Sequence, residues 1–260
     1  MSLIAPDIRP GTVARINPVA KMLAAILVAL ALLLSIDWVS AAVALGLEAV
    51  LLPFAGLSAR QFWLRTATLW VAAPLAALTT VLYGKDSGAL LTRLGPITIT
   101  DGSLDLGLAI GLRILAIGLP GIVLFATTDP TDLADGLGQV LRLPARFVLG
   151  GLAGLRLVGL FIEDWRFLAL ARRARGVGDS NPITRIARQG FSLLVLSVRR
   201  GSKLATAMEA KGFGSDRPRT WARLSVFGAR EWRFMALAIA IPTAAIVVAV
   251  LSGTWKFVLS

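Results

Sequence analysis

The chain has no cysteine and no histidine. Disulfides, thiolate nucleophiles, His-ligated haem and most zinc sites are therefore excluded, while carboxylate or hydroxyl chemistry stays available. Charge is sparse too. Asp, Glu, Lys and Arg form 16% of the 260 residues, less than a soluble domain of this length carries. No Gly-x-x-x-x-Gly-Lys-Ser/Thr loop occurs, so the chain has no P-loop for nucleotide phosphates. Basic motifs interleaved with aromatics are missing as well, and nucleic acid is not an expected partner. What is abundant is apolar. Hydrophobic residues make up 56% and the mean hydropathy is +0.76, which places the chain in the polytopic membrane class.

A spanning helix needs about 20 mostly apolar residues. Five segments qualify: Val19 to Ile36, Trp38 to Phe54, Phe62 to Tyr83, Leu104 to Ala126 and Trp232 to Leu251. Asp37 alone separates the first two, which predicts a tight helical hairpin. Pro74, Pro120 and Pro242 fall within the third, fourth and last, with a kink expected at Pro74. The first stretch lacks a small-residue cleavage site and reads as a retained span, not a signal peptide. Between Gly84 and Ser103 the alternation Pro96-Ile97-Thr98-Ile99-Thr100-Asp101-Gly102 suggests a short hairpin.

The net charge of +12 sits in one place. From Arg142 to Arg233 there are 18 Lys/Arg against 6 Asp/Glu, while the rest has 9 of each sign. Basic loops stay cytoplasmic. Arg9, Arg15 and Lys21 before the first span, with Arg60 and Arg65 between the second and third, put the N-terminus on that side. Four spans then return the chain to the cytoplasm for the basic segment, and a fifth leaves the C-terminus outside. The sequence thus divides into an N-terminal membrane region (1–126), a cytoplasmic helical segment that does not cross the bilayer (127–231) and a last span (232–260).

Within the basic segment, Thr128 or Asp129 before Pro130 starts a short helix that stops ahead of Pro144. A long helix from Ala145 to Arg175 carries Arg156, Glu163, Arg166 and Arg173 on one face. Val158, Phe161, Ile162, Trp165, Leu168 and Ala169 form the other. Asn181-Pro182 marks a turn, and a third helix runs from Thr184 to Lys211, its apolar run Phe191 to Val198 being too short to span. An amphipathic pair lying in the membrane interface explains the apolar faces.

It does not explain why both long helices end alike. Ala174-Arg175-Gly176-Val177-Gly178 is matched 36 residues later by Ala210-Lys211-Gly212-Phe213-Gly214. Glycine just past a helix adopts the left-handed conformation that closes it, and a cation in the last turn complements the dipole. Each copy alone reads as a good helix stop. Two copies read as a pair of cations presented at capped tips to acidic grooves on a partner.

On these residues the chain resembles the transmembrane T component of energy-coupling factor (ECF) transporters, the cobalt-transport permease CbiQ-like family. Pro18-Val19-Ala20-Lys21, the stretch Thr127-Thr128-Asp129-Pro130 to Leu133, Leu141 to Pro144, and Ile97 to Gly102 add to the likeness, which covers about Pro18 to Trp232. The resemblance implies an all-α membrane protein of about five spans, with one short and two long coupling helices. It implies a non-catalytic subunit of an ATP-driven importer for a vitamin or transition-metal ion, in a prokaryotic cell membrane. Ala174, Arg175 and Gly176, and Ala210, Lys211 and Gly212, would dock on two cytoplasmic ABC ATPases. ATP and Mg would be bound by those ATPases, and a small substrate-binding membrane (S) subunit would select the cargo. Lys211 departs from the family's arginine; it keeps the charge but loses the bidentate fork.

Two other readings stay open. A conventional ABC importer permease meets its ATPase through one Glu-Ala-Ala…Gly loop, which Met208-Glu209-Ala210-Lys211-Gly212 fits poorly. A membrane transferase would use Asp129, Asp132 and Asp135, spaced by three, to hold a divalent cation, although acids in a first helical turn also answer the dipole. Glu48 and Arg113 lie within spans and are functional candidates by default. Gly107 with Gly111, and Gly150 with Gly154, suit close helix approach, and the resemblance suggests such faces contact the S subunit.

Overall fold

The computed structural model describes residues 13–84, 87–94, 97–176, 181–215 and 220–257. Arg9, Pro96, Val177 and Gly178 lie outside the described residues. Among those described, the chain is helical apart from one hairpin, as expected of an all-α membrane protein. The elements are α1 (Pro18–Leu33), α2 (Trp38–Leu51, continued by a 3-10 turn Leu52–Ala55), α3 (Ala59–Tyr83), β1 (Leu90–Leu94), β2 (Ile97–Thr100), α4 (Asp101–Ala126), α5 (Pro130–Gln139), α6 (Ala145–Ala174), α7 (Pro182–Ala210) and α8 (Ala229–Leu251). They group into two compact units. Of the described residues, one holds those within Leu137–Leu224 and the other holds those from 13 to 136 and from 225 to 257.

The larger unit is a bundle of α1, α2, α3, α4 and α8. Its buried centre is built from Ala24, Val28 and Leu32 of α1, Ala44 of α2, Ala116 of α4, and Ala238, Ile241 and Ala245 of α8. Alanine at these positions lets helix backbones approach closely. The same holds for Gly107 and Gly111. A Cβ at Gly107 would sit 2.4 Å from Val81 Cγ2 and 2.8 Å from the Ala77 carbonyl oxygen, and one at Gly111 3.1 Å from Ala77 Cβ. This glycine pair is spent on α3 of the same chain, which corrects the expectation that it faces a partner. Gly150 and Gly154 have nothing within 4 Å and remain open.

Polar side chains tie the helix ends together. Asn17 caps α1 by accepting from the Val19 N–H at 3.0 Å, and its amide donates to Ser225 Oγ (2.8 Å) and the Val226 carbonyl (3.0 Å). Glu231, at the start of α8, accepts from the Gly228 N–H at 2.8 Å and from the Asn17 N–H at 3.4 Å. Lys21 is buried, and its ammonium donates to the Thr127 carbonyl at 2.9 Å; Arg65 donates to the Ala126 carbonyl at 2.8 Å. Two cations thus satisfy carbonyls at the C-terminus of α4, where the helix leaves orphan acceptors and negative dipole charge. Residues 17–21, 65, 126–127 and 225–231 therefore share one end of the bundle. At the other end the Ile36 N–H donates to the Lys256 carbonyl at 2.8 Å, and Asp37 caps α2 by accepting from the Ser40 N–H at 2.6 Å. The break between α1 and α2 thus covers 34–37 and not Asp37 alone. The alternating stretch after Pro96 is only the second strand of its hairpin: β2 pairs antiparallel with β1, and Asp101 already belongs to α4.

The number of long apolar helices is five, but their membership differs from the sequence reading. Among the described residues, Trp38–Ala55, Ala59–Tyr83, Asp101–Ala126, Ala145–Ala174 and Ala229–Leu251 are long and apolar enough to cross a membrane. At 16 residues α1 is about 24 Å long, short of the ~30 Å hydrocarbon core. Conversely, α6 qualifies, against the expectation that nothing in the basic segment can cross. Its charges lie mostly in the second half, and between Ala145 and Ile162 only Arg146 and Arg156 are charged, a local feature hidden by the segment's net charge.

Candidate functional site: two cationic helix ends

The two matched ends have matching backbones. Arg175 is the C-cap of α6 (φ −88°, ψ 6°) and Lys211 that of α7 (φ −89°, ψ 10°). The glycine after each is left-handed, φ +70° at Gly176 and +79° at Gly212. At the second end the Gly212 N–H bonds to the Glu209 carbonyl and the Phe213 N–H to the Met208 carbonyl, both at 2.9 Å. This is the complete pair of bonds of a Schellman closure. At the first end the Gly176 N–H bonds to the Arg173 carbonyl at 3.0 Å, the equivalent of the first of these. A left-handed glycine turns the chain sharply, so Arg175 and Lys211 stand at the terminal rim of their helices. All six residues, Ala174, Arg175, Gly176, Ala210, Lys211 and Gly212, are exposed. Neither cation has a partner among the described residues, and the small alanine beside each leaves it sterically accessible.

α6 and α7 run antiparallel. Gln189 Nε2 donates to the Trp165 carbonyl at 2.6 Å, Arg172 Nη2 to the Arg188 carbonyl and Ser192 Oγ at 3.3 Å, and Arg146 Nη2 to the Gly214 carbonyl at 2.7 Å. Arg200 and Asp164 form an ion pair between the helices. Phe161, Trp165, Leu168 and Ala169 of the expected apolar face are partly shielded, whereas Val158 and Ile162 are exposed. Because the helices are antiparallel, the ends lie at opposite extremes of the pair. From Arg188, which Arg172 contacts close to the first tip, to Lys211 is about 35 Å of helix at 1.5 Å per residue, so the tips are separated on the order of 35 Å. Near the second, a groove of about 490 Å³ is lined by Leu152, Leu157, Leu204, Met208, Lys211 and Phe213.

The other candidates fare differently. Asp129 caps α5, accepting from the Thr131 N–H at 2.7 Å and the Asp132 N–H at 3.4 Å. Among the described residues, Asp129, Asp132 and Asp135 do not form a group able to hold a metal ion. Glu48 is buried in the bundle, and neither of its carboxylate oxygens has a hydrogen-bond partner; one Arg113 guanidinium nitrogen is likewise without one. Sequence reasoning missed Arg146, Asp164, Arg172, Gln189 and Arg200, which hold α6 against α7. No sequence signal separates them from the other polar residues of these two amphipathic helices.

Comparison with known proteins bears on this pair of ends. The family model described as CbiQ, cobalt transport protein, matches residues 12–221, a span that contains both. A protein of Listeria innocua named energy-coupling factor transporter transmembrane protein EcfT is 30% identical, with 74% of this chain and 70% of the relative aligned. Proteins of the same name from Limosilactobacillus fermentum (30% identity, 58% of this chain, 61% of the relative) and Heliobacterium modesticaldum (27%, 84% and 86%) are also similar. The chain spans about three-fifths of the length of the first such relatives, as with the 61% aligned for the L. fermentum protein. With its long apolar helices and these relatives, it is a multi-pass membrane protein. The extent of the match, which carries both glycine-capped cationic ends, establishes that the chain belongs to the CbiQ family of cobalt transport proteins.

Proposed function

We propose that this chain is the energy-coupling transmembrane subunit of an ECF-type importer, and that Arg175 and Lys211 are its two points of attachment to a pair of cytoplasmic ATPases. The observation that carries the reading is the equivalence of the two exposed, glycine-closed, cationic ends at opposite extremes of one antiparallel helix pair. One tip per ATPase subunit accounts for both the duplication and the distance. Two subunits that approach and separate as nucleotide is bound and hydrolysed would drive the ends of α6 and α7, which join the bundle through α5 and α8. ATP and Mg²⁺ belong to the partners, and the chain itself is non-catalytic. A separate substrate-binding membrane subunit selects the vitamin or metal ion carried.

The positive-inside rule puts the basic residues of the 142–233 segment, and Lys21, Arg60 and Arg65, on the cytoplasmic side of a cell membrane, with α6 lying along the interface and not spanning, although its length and composition would allow it. Each tip seats a cation in an acidic groove, where a desolvated charge-assisted contact is strong. Lys211 makes the weaker seat because an ammonium lacks the guanidinium fork. The test is co-expression with a candidate pair of ABC ATPases. Arg175→Glu combined with Lys211→Glu is expected to abolish ATPase co-purification and transport. Wild-type recovery of both would refute the role of the tips.

A further inference from the structure

The cationic ends are 36 residues apart, and so are Asp164 and Arg200. Asp164 precedes Arg175 by 11 residues, and Arg200 precedes Lys211 by the same 11. The ion pair therefore lies midway between the tips, with an arm of about 16 Å on either side at 1.5 Å per residue. In an antiparallel pair whose helices are related by 36 positions, the Arg172–Ser192 contact corresponds to Arg156 facing Met208. Both of those residues line the groove near the second tip. The Asp164–Arg200 contact corresponds to itself. Both guanidinium η nitrogens engage the carboxylate, Nη1 to Oδ2 and Nη2 to Oδ1, the latter at 3.3 Å. Such a fork is directional, whereas the leucines around it pack without a preferred register. The side chains are 34% and 16% exposed, so the pair specifies register more than it adds stability.

We propose that the Asp164–Arg200 pair is the positioning element of the coupling helices, pinning α6 to α7 at the point equidistant from the two tips so that both ends move by equal amounts about it. The proposal rests on the coupling function above. A slip of one turn would displace the tips by about 5.4 Å relative to each other and spoil their equal reach.

The chain has no native cysteine, so Ala171→Cys with Ala207→Cys provides two unique spin-label sites, both exposed and each one turn before its tip. Pulsed electron resonance on the full chain in lipid nanodiscs is expected to give one narrow distance distribution. Asp164→Asn and Arg200→Gln should each broaden or shift it by about a helical turn, ~5 Å. The exchange Asp164→Arg with Arg200→Asp should restore it. Single variants indistinguishable from the parent would overturn the proposal, as would failure of the exchange to restore the narrow distribution. This readout needs no ATPase and is independent of whether the tips dock. In the assembled transporter, each single variant should keep ATPase co-purification while transport per ATP hydrolysed falls several-fold. An unchanged ratio would overturn the positioning role, whereas a failure of the docking function shows separately in co-purification of the tip charge-reversal variant.

Discussion

Gly212→Ala isolates the contribution of backbone shape to the second tip. Gly212 holds φ +79°, and a Cβ there would meet nothing closer than Ser215 Oγ at 3.6 Å, an ordinary contact. The cost of the substitution is therefore torsional and not steric. An L-residue in the left-handed region costs roughly 1–2 kcal/mol, which at about 1.4 kcal/mol per decade lowers the population of the closed tip on the order of 5–30-fold. If the closed tip is what the ATPase binds, the dissociation constant rises by up to that factor. Titration of purified ATPase pair onto the detergent-solubilised chain measures it. Asparagine tolerates the left-handed region, so Gly212→Asn is expected to retain most of the affinity. Gly190, inside α7 with open space around it and no positive φ, is the control. Gly190→Ala should leave binding unchanged while favouring the helix by about 1 kcal/mol. Binding of Gly212→Ala within twofold of wild type would refute the claim that capping geometry presents the cation.

Lys21→Met deletes the donor to the Thr127 carbonyl and leaves a buried acceptor unpaired, a loss of about 1–3 kcal/mol that a lowered midpoint of thermal unfolding in detergent reports. Gly107→Val drives a side chain against the α3 backbone at Ala77 and should cost about 1–3 kcal/mol in the same assay, whereas Gly150→Val, with open space around it, should leave the midpoint unchanged. Glu48→Met replaces a buried carboxyl that has no hydrogen-bond partner; the variant is expected to unfold at or above the wild-type temperature in the same assay, and a marked drop would show that the carboxyl stabilises the bundle.

Local signals carried most of the fold. Asp129-Pro130 places the start of α5 because a capping side chain and a proline at the first turn act within a few residues, whereas Asn181-Pro182, which reads as a turn before a helix from Thr184, is the cap and first residue of α7. The glycine-closed ends were equally legible, since the closure involves only the last turn and the two residues after it. What was not legible is what each element packs against. Lys21 reads as a topology-setting charge until α4 brings the Thr127 carbonyl to it across 106 positions. Gly107 and Gly111 advertise close approach without naming α3 as the neighbour. Asp164 and Arg200 are unremarkable as single charges, and only the antiparallel register of α6 and α7 joins them. The apolar half of α6 was masked by averaging charge over 92 residues, although its first 18 are almost uncharged.

The central claim is that one copy of this chain engages two ATPase subunits at once, through one tip each. A photo-crosslinking residue at Ala174 and another at Ala210, tested singly and together in the assembled complex, measures this directly. The account requires either position alone to give a single adduct with one ATPase subunit, and both together to give a species containing one chain and two. An adduct from only one position, or two chains in every complex with the ATPase pair, would contradict it.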